Sequence, residues 1–222
     1  MNTQAAAQVI SPPAAVPASL LDVSPVIPVV VIEDVESAVP LARALFSGGV
    51  GIIEVTLRSA AALGAIAAIA REVPEMLIGA GTVCSEQQAR ESAAAGAQFL
   101  VSPGSTDRLL DGLERVGLPF LAGCATPSDM MRLIERGLTE AKLFPATVVG
   151  GTALLKAVAG PLPQLRFCPT GGITPQSAPE FLALPNVGCV GGTWLTPQTS
   201  VKNADWPSIT ALAAATRTVS AG

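Results

Sequence analysis

Lys142 stands in Glu140-Ala-Lys-Leu-Phe-Pro-Ala146, an apolar, strand-like run that closes on a proline. The chain has three lysines, and the other two, Lys156 and Lys202, occupy ordinary surroundings. An ammonium taken partly out of water loses its proton more readily, and the neutral amine left behind is a nucleophile. The same position also suits a strand-end lysine whose stem reaches back to water. A second unusual charge is Glu54, in Ile53-Glu-Val-Thr-Leu-Arg58. A glutamate within a strand is either a general base facing an enclosed interior or one half of an ion pair with Arg58 or Lys142. Arg58 ends that run, where a guanidinium can grip a carboxylate through two parallel hydrogen bonds or simply face solvent. Gly79-Ala-Gly-Thr-Val83 offers the Thr82 hydroxyl among residues small enough for a ligand, or a packed neighbour, to approach the backbone. Pro169-Thr-Gly-Gly-Ile173 and Gly191-Gly-Thr193 are glycine-rich turns, and backbone N–H groups in such turns bind anions.

Composition narrows the chemistry. There is no histidine, which removes His-based metal sites, Ser–His and Cys–His nucleophile pairs, and imidazole acid–base catalysis. A metal site is therefore not expected. The net charge of −4 supplies no basic patch for nucleic acid. Half of the 222 residues are hydrophobic and 14% are charged, enough for a large core and too apolar for disorder. The four cysteines, Cys84, Cys124, Cys168 and Cys189, lie far apart in apolar stretches and read as buried free thiols of a reducing compartment. No apolar run reaches the roughly 18 residues of a membrane span, and the N-terminus lacks the basic start of a signal peptide. A cytoplasmic protein with no membrane partner is expected.

The elements that must position these residues repeat. Short apolar runs begin at Val26, Ile52, Leu77, Phe99, Phe120, Ala141, Arg166 and Val187, and each is followed by a stretch at helical spacing. Glycines close several of the helical stretches, at Gly48-Gly49, Gly96 and Gly137. The result is about eight βα units at a spacing of roughly 20–25 residues, the pattern of a single (β/α)8 TIM barrel. A doubly wound open sheet is the rival, and it is disfavoured by the even spacing and the lack of an early G-x-G-x-x-G. Residues 25–222 are assigned to the barrel. Residues 1–24 are assigned to a mobile N-terminal arm with a short helix near Ala18–Asp22. Glu54, Arg58, Thr82, Pro103, Lys142, Gly171, Gly172, Gly191, Gly192 and Thr193 all fall at the C-terminal ends of predicted strands. In a barrel that end carries the active site.

A desolvated lysine, a glutamate, a carboxylate-binding arginine and an anion cradle together suit a Schiff-base lyase. Lys142 would attack a 2-keto group, and the protonated imine would draw electrons from a breaking C–C bond. Glu54 would shuttle protons, through a water. No cofactor is needed beyond the covalent lysine imine. Two other classes share these features: a sugar-phosphate isomerase or epimerase with Glu54 as base and no imine, and a non-catalytic sugar-phosphate-binding barrel.

The motifs, in order, are Glu54-Val-Thr-Leu-Arg58, Gly79-Ala-Gly-Thr82, Ser102-Pro-Gly104, Lys142-Leu-Phe-Pro-Ala146, Arg166-Phe-Cys-Pro-Thr-Gly-Gly-Ile173 and Gly191-Gly-Thr-Trp194. With them the chain, from Val26 to about Thr216, resembles the 2-dehydro-3-deoxy-6-phosphogluconate (KDPG) and 4-hydroxy-2-oxoglutarate (KHG) aldolases. The resemblance implies a class I aldolase of the Entner–Doudoroff pathway that works as a homotrimer on a small-molecule 2-keto acid sugar phosphate. It implies Lys142 as the Schiff-base lysine and Glu54 as general acid/base. It places Arg58 and Thr82 near the pyruvate carboxylate, with Pro103 and Phe144 packed nearby. It gives the phosphate to Gly171 and Gly172 with Thr193, in the turns that include Gly191 and Gly192. Three positions depart from the family's usual pattern. Ala125 replaces a serine, Thr193 stands where many members have serine, and Thr147 replaces a glutamate. They bear on substrate preference rather than reaction type.

Overall fold

The computed structural model describes residues 17–219. Eight strands alternate with helices: β1 (Val26–Val30), α1 (Ala38–Ser47), β2 (Ile52–Thr56), α2 (Ala62–Glu72), β3 (Leu77–Gly81), α3 (Glu86–Ala94), β4 (Phe99–Val101) and α4 (Asp107–Val116). They continue with β5 (Phe120–Cys124), α5 (Pro127–Glu135), β6 (Glu140–Leu143), α6 (Gly151–Ala159), β7 (Arg166–Pro169), α7 (Ala178–Leu182), β8 (Val190–Gly192), α8 (Gln198–Lys202) and α9 (Trp206–Ala215). All pairings are parallel and the order is β7-β6-β5-β4-β3-β2-β1-β8. Parallel bridges Phe167–Val187 and Thr170–Gly191 join β7 to β8 and bring the ends of the sheet together. This is the expected TIM barrel.

The strands read as unbroken apolar runs because both faces are buried. Alternate residues point outward onto the helices: Val26, Val30, Ile53, Val55, Ile78 and Leu100 join the helix–sheet core. Their neighbours point inward, where Ile27, Ile52, Leu77, Phe99, Val101, Leu121, Cys168 and Cys189 fill the barrel floor. Polar side chains cap the helix starts. Ser85, Thr106 and Thr126 each sit in extended backbone and accept a hydrogen bond from the first turn of α3, α4 and α5. Asp129 completes a capping box at α5.

Three expectations shift. Residues 1–16 of the predicted arm lie outside the described residues. Residues 19–24, assigned to the arm, instead pack against the barrel floor. Leu20–Asp22 form one 3-10 turn, capped by Ser19, and Leu20 and Leu21 join the interior cluster. Asp22 closes the turn with an ion pair to Arg166 at 2.6 Å. The short helix expected near Ala18–Asp22 is thus present, but apolar burial ties it to the barrel, which the Ala/Pro-rich composition around it did not show. Helical spacing after the seventh strand predicts a helix near Pro175–Leu184, but α7 starts at Ala178, because Thr174 and Ser177 exchange side chain–backbone hydrogen bonds that hold a turn there. The short α8 was not expected, since five residues after a proline carry too little apolar periodicity. Among the described residues no helix is long and apolar enough to cross a membrane.

If the Leu20–Asp22 turn belongs to the packed unit, Leu21→Ala is expected to lower stability by about 2–4 kcal/mol in urea unfolding. A change below about 0.5 kcal/mol, the level of a surface substitution, would return the turn to the arm.

Candidate active site

β2 and β6 lie on opposite sides of the barrel, and each sends a charged side chain inward at its upper end. Lys142 Nζ donates to Glu54 at 3.1 Å from Oε1 and 3.4 Å from Oε2. Both residues are buried, Lys142 at 5% exposure and Glu54 at 3%. The lysine does not snorkel to solvent. Its ammonium lies 5.5 Å from the centre of the Phe144 ring, within reach of a cation–π attraction. Small residues make the meeting possible. A side chain at Gly81 would overlap the Glu54 carboxylate, and one at Gly123 would overlap the Pro103–Gly104 backbone. Gly123 is the register neighbour of Lys142 on β5.

Above the pair opens a cavity of about 370 Å3. Glu54, Arg58, Thr82, Pro103, Lys142, Phe144, Gly171, Gly172, Gly191 and Thr193 all line it. Gly192, grouped with them from sequence, does not. It is buried, and its Cα faces the Trp194 ring, so that glycine answers a packing demand. Thr82 adopts φ 61°, a left-handed backbone uncommon for a β-branched residue, at the cavity wall. Gly171 and Gly172 take φ 102° and 77°, where glycine carries no steric penalty. The Gly171 carbonyl accepts from the Thr147 N–H and hydroxyl at 3.2 Å each, which ties the β7 turn to the loop after β6.

The sequence reading missed Val29, Thr56 and Ile173 as wall residues, and Thr170, which it placed at a strand end, also lines the cavity. Thr56 was within reach: it shares the face of Glu54 and Arg58 by the period of two. Its hydroxyl donates to the Val30 carbonyl at 2.9 Å and accepts from Arg58 Nε at 3.2 Å. Thr170 is buried over Gly191, whose missing side chain makes room for it. Conversely Thr126, one of the polar residues at a strand end, caps α5 and does not line the cavity. Among the described residues no group of three or more cysteines and carboxylates is placed to hold a metal ion.

A parallel barrel whose mouth holds a buried lysine paired to a glutamate, beside an arginine and glycine-rich turns, defines the class: a barrel enzyme built around a lysine amine. The comparisons narrow the class. The family described as KDPG and KHG aldolase matches residues 18–212. The chain is 52% identical over 189 residues to the 2-dehydro-3-deoxy-phosphogluconate aldolase of Pseudoalteromonas atlantica, covering 85% of this chain and 88% of the relative. It is 49% identical over 195 residues to the KHG/KDPG aldolase of Escherichia coli, covering 88% and 92%. The fold superposes with a TM-score of 0.87 on the KDPG aldolase of Legionella pneumophila, whose crystal structure captured pyruvate at low pH as a covalent carbinolamine intermediate. That structure shares 45% identity and the match covers 88% of this chain and 95% of that one. The chain belongs to the KDPG and KHG aldolase family.

The thiols near the site are poor competitors for the lysine. Cys168 is the register neighbour of Lys142 on β7 and lies in the interior core. Its hydrogen bond with Cys189, together with burial, holds the Cys189 thiol well above the usual range. Burial, reinforced by the Asp129 carboxylate, pushes the Cys124 thiol up to about 12. Cys84 corrects the expectation of four buried thiols. It sits in the loop after β3, exposed, and donates to the Thr82 carbonyl at 3.4 Å. In the native protein Ellman's reagent is therefore expected to label Cys84 quickly and the other three only after denaturation. Fast labelling of two or more thiols would contradict this placement.

Proposed function

We propose that this class I aldolase reversibly cleaves 2-dehydro-3-deoxy-6-phosphogluconate to pyruvate and D-glyceraldehyde 3-phosphate through an imine on Lys142, with cleavage of 4-hydroxy-2-oxoglutarate as a further activity. The observation that carries the reading is the buried Lys142–Glu54 contact at 3.1 Å on the floor of the open cavity. Glu54 is the only carboxylate hydrogen-bonded to Lys142 among the described residues, and so the nearest acceptor for the proton the ammonium must lose. The neutral amine then adds to the 2-keto carbon to give a carbinolamine. A proton returned by Glu54 releases water and leaves the protonated imine. Glu54, again ionised, takes the proton of the β-hydroxyl through a water. The bond between the α and β carbons breaks, its electrons enter the imine as an enamine, and the aldehyde departs. Protonation of the enamine and hydrolysis of the imine release pyruvate and restore the lysine.

In this reading Arg58 and Thr82 hold the pyruvate carboxylate, and Pro103 and Phe144 enclose the reacting carbons. Gly171, Gly172 and Gly191, with the Thr193 hydroxyl, receive the phosphate. Support comes from their common cavity, from the exposed Arg58 that no carboxylate pairs with among the described residues, and from the left-handed turn at Gly171-Gly172. The proposal extends to a cytoplasmic homotrimer. Exposed apolar side chains at Met131 and Val148 supply surface that a second copy would cover. Light scattering is expected to give about three times the 22.4 kDa chain mass, and a monomer mass would remove this part.

Borohydride with pyruvate is expected to trap an adduct that maps to Lys142, and Lys142→Ala is expected to trap none and to lose turnover to background. Glu54→Gln is expected to slow pyruvate release by about 10²–10⁴-fold in a lactate-dehydrogenase-coupled assay. Turnover near wild type in either variant would remove the assigned role. Gly81→Ala, which forces the Glu54 carboxylate to move, is expected to cost about 10²-fold in kcat/KM while the protein stays folded. An unchanged rate would show that the position of Glu54 is not limiting.

A further inference from the structure

We infer that Thr56 is a positioning residue that aims the Arg58 guanidinium at the substrate carboxylate, an assignment that rests on the carboxylate role proposed for Arg58. Thr56 is 1% exposed and lies between Glu54 and Arg58 on the inward face of β2. Its hydroxyl touches two groups, the Val30 carbonyl at 2.9 Å and Arg58 Nε at 3.2 Å. The direction of both hydrogen bonds is forced. Arginine has donors only, so the Thr56 oxygen must accept from Nε. The one hydroxyl proton is then given to the Val30 carbonyl, which can only accept. The relay thus runs from Arg58 through Thr56 to the backbone of β1, and it has one polarity.

What this leaves free matters. Nε is engaged, while the two terminal nitrogens have no carboxylate partner among the described residues. Those nitrogens form the flat end of the fork that meets a carboxylate with two parallel bonds. Arg58 is exposed at the rim, and a long side chain there otherwise samples many rotamers, which binding would have to freeze out. The backbone beneath it is pinned on both sides. The Leu57 N–H donates to the Gly81 carbonyl of β3 at 2.8 Å, and the Ser59 hydroxyl donates to the Ile32 carbonyl beyond β1. Among the described residues, only Thr56 extends that restraint to the guanidinium itself by a hydrogen bond. A purely structural role, closing the β1–β2 ladder, needs the Val30 contact but not the Arg58 contact.

The half-saturating ligand concentration for borohydride trapping on Lys142 separates the two, measured with pyruvate and with its neutral amide, pyruvamide. Thr56→Val and Thr56→Ala run side by side, so that misfolding of one leaves the comparison intact. Both are expected to raise the pyruvate value about tenfold, the order of one hydrogen bond to a charged group, and to leave the pyruvamide value unchanged. Thr56→Ser, which keeps the hydroxyl, is expected to restore the pyruvate value. Equal shifts for both ligands, no shift for pyruvate, or failure of serine to restore it would overturn the assignment. Arg58→Gln is the control for the reading beneath it. A pyruvate-selective loss there with unshifted Thr56 variants removes only Thr56. No loss in Arg58→Gln removes the carboxylate grip and Thr56 together.

Discussion

A lysine and a glutamate held together out of water set the terms for the rest of this molecule. Each ion loses its hydration on burial, and the loss is offset only while the other stays within hydrogen-bond reach. Removing one partner of such a pair typically costs about 3–5 kcal/mol, because the survivor is stranded. The barrel meets this constraint by closure. β2 and β6 are four strands apart in the order, so their inward side chains point at each other across the interior. Gly81 clears the space around the carboxylate, and the Phe144 ring gives the ammonium a second favourable neighbour. Both members of the pair belong to strands rather than to loops, which fixes their positions relative to each other.

Below the pair the interior is apolar. Ile27, Ile52, Leu77, Phe99 and Leu121 fill the floor, and the Leu20–Asp22 turn seals it from beneath. Above the pair polar side chains such as Arg58, Thr82 and Thr193 enter the walls and the glycine turns begin. This gradient sends ligands to one end only. It also explains the N-terminal turn: a barrel floor left open would expose the apolar layer that supports Lys142. At the mouth the backbone also takes conformations uncommon for its residue types. Thr82 holds its left-handed conformation beside the cavity, and the Gly171-Gly172 turn is anchored through Thr147. Thr147 organises that turn with both its hydroxyl and its N–H.

Much of this was legible in the chain. Continuous apolar runs separated by helical patterns and closed by glycines announce buried parallel strands, and eight of them at even spacing announce a barrel. Lys142 and Glu54 were conspicuous because charge is rare in such runs. Other features were hidden by their local context. Thr56 resembles any β-branched strand residue until its contacts are seen. Gly192 resembles the other glycines of the turns, but it faces the Trp194 ring. Cys84 sits beside an apolar strand, yet lies three residues past its end and is exposed. The Leu20–Asp22 turn was expected as a short helix, but three residues carry no pattern that would place it under the barrel.

Residue types and their spacing by themselves determined the barrel, the face on which each candidate stands and the lysine-centred character of the chemistry. A strand's period of two fixes which side chains share a face. Local spacing contains no distance across a closed sheet. Only the tertiary structure decided that Lys142 meets Glu54 rather than Arg58 or solvent, since that depends on barrel diameter, register and the glycines opposite. The same closure decided that Arg58 is tethered through Thr56 with its terminal nitrogens left without a carboxylate partner among the described residues.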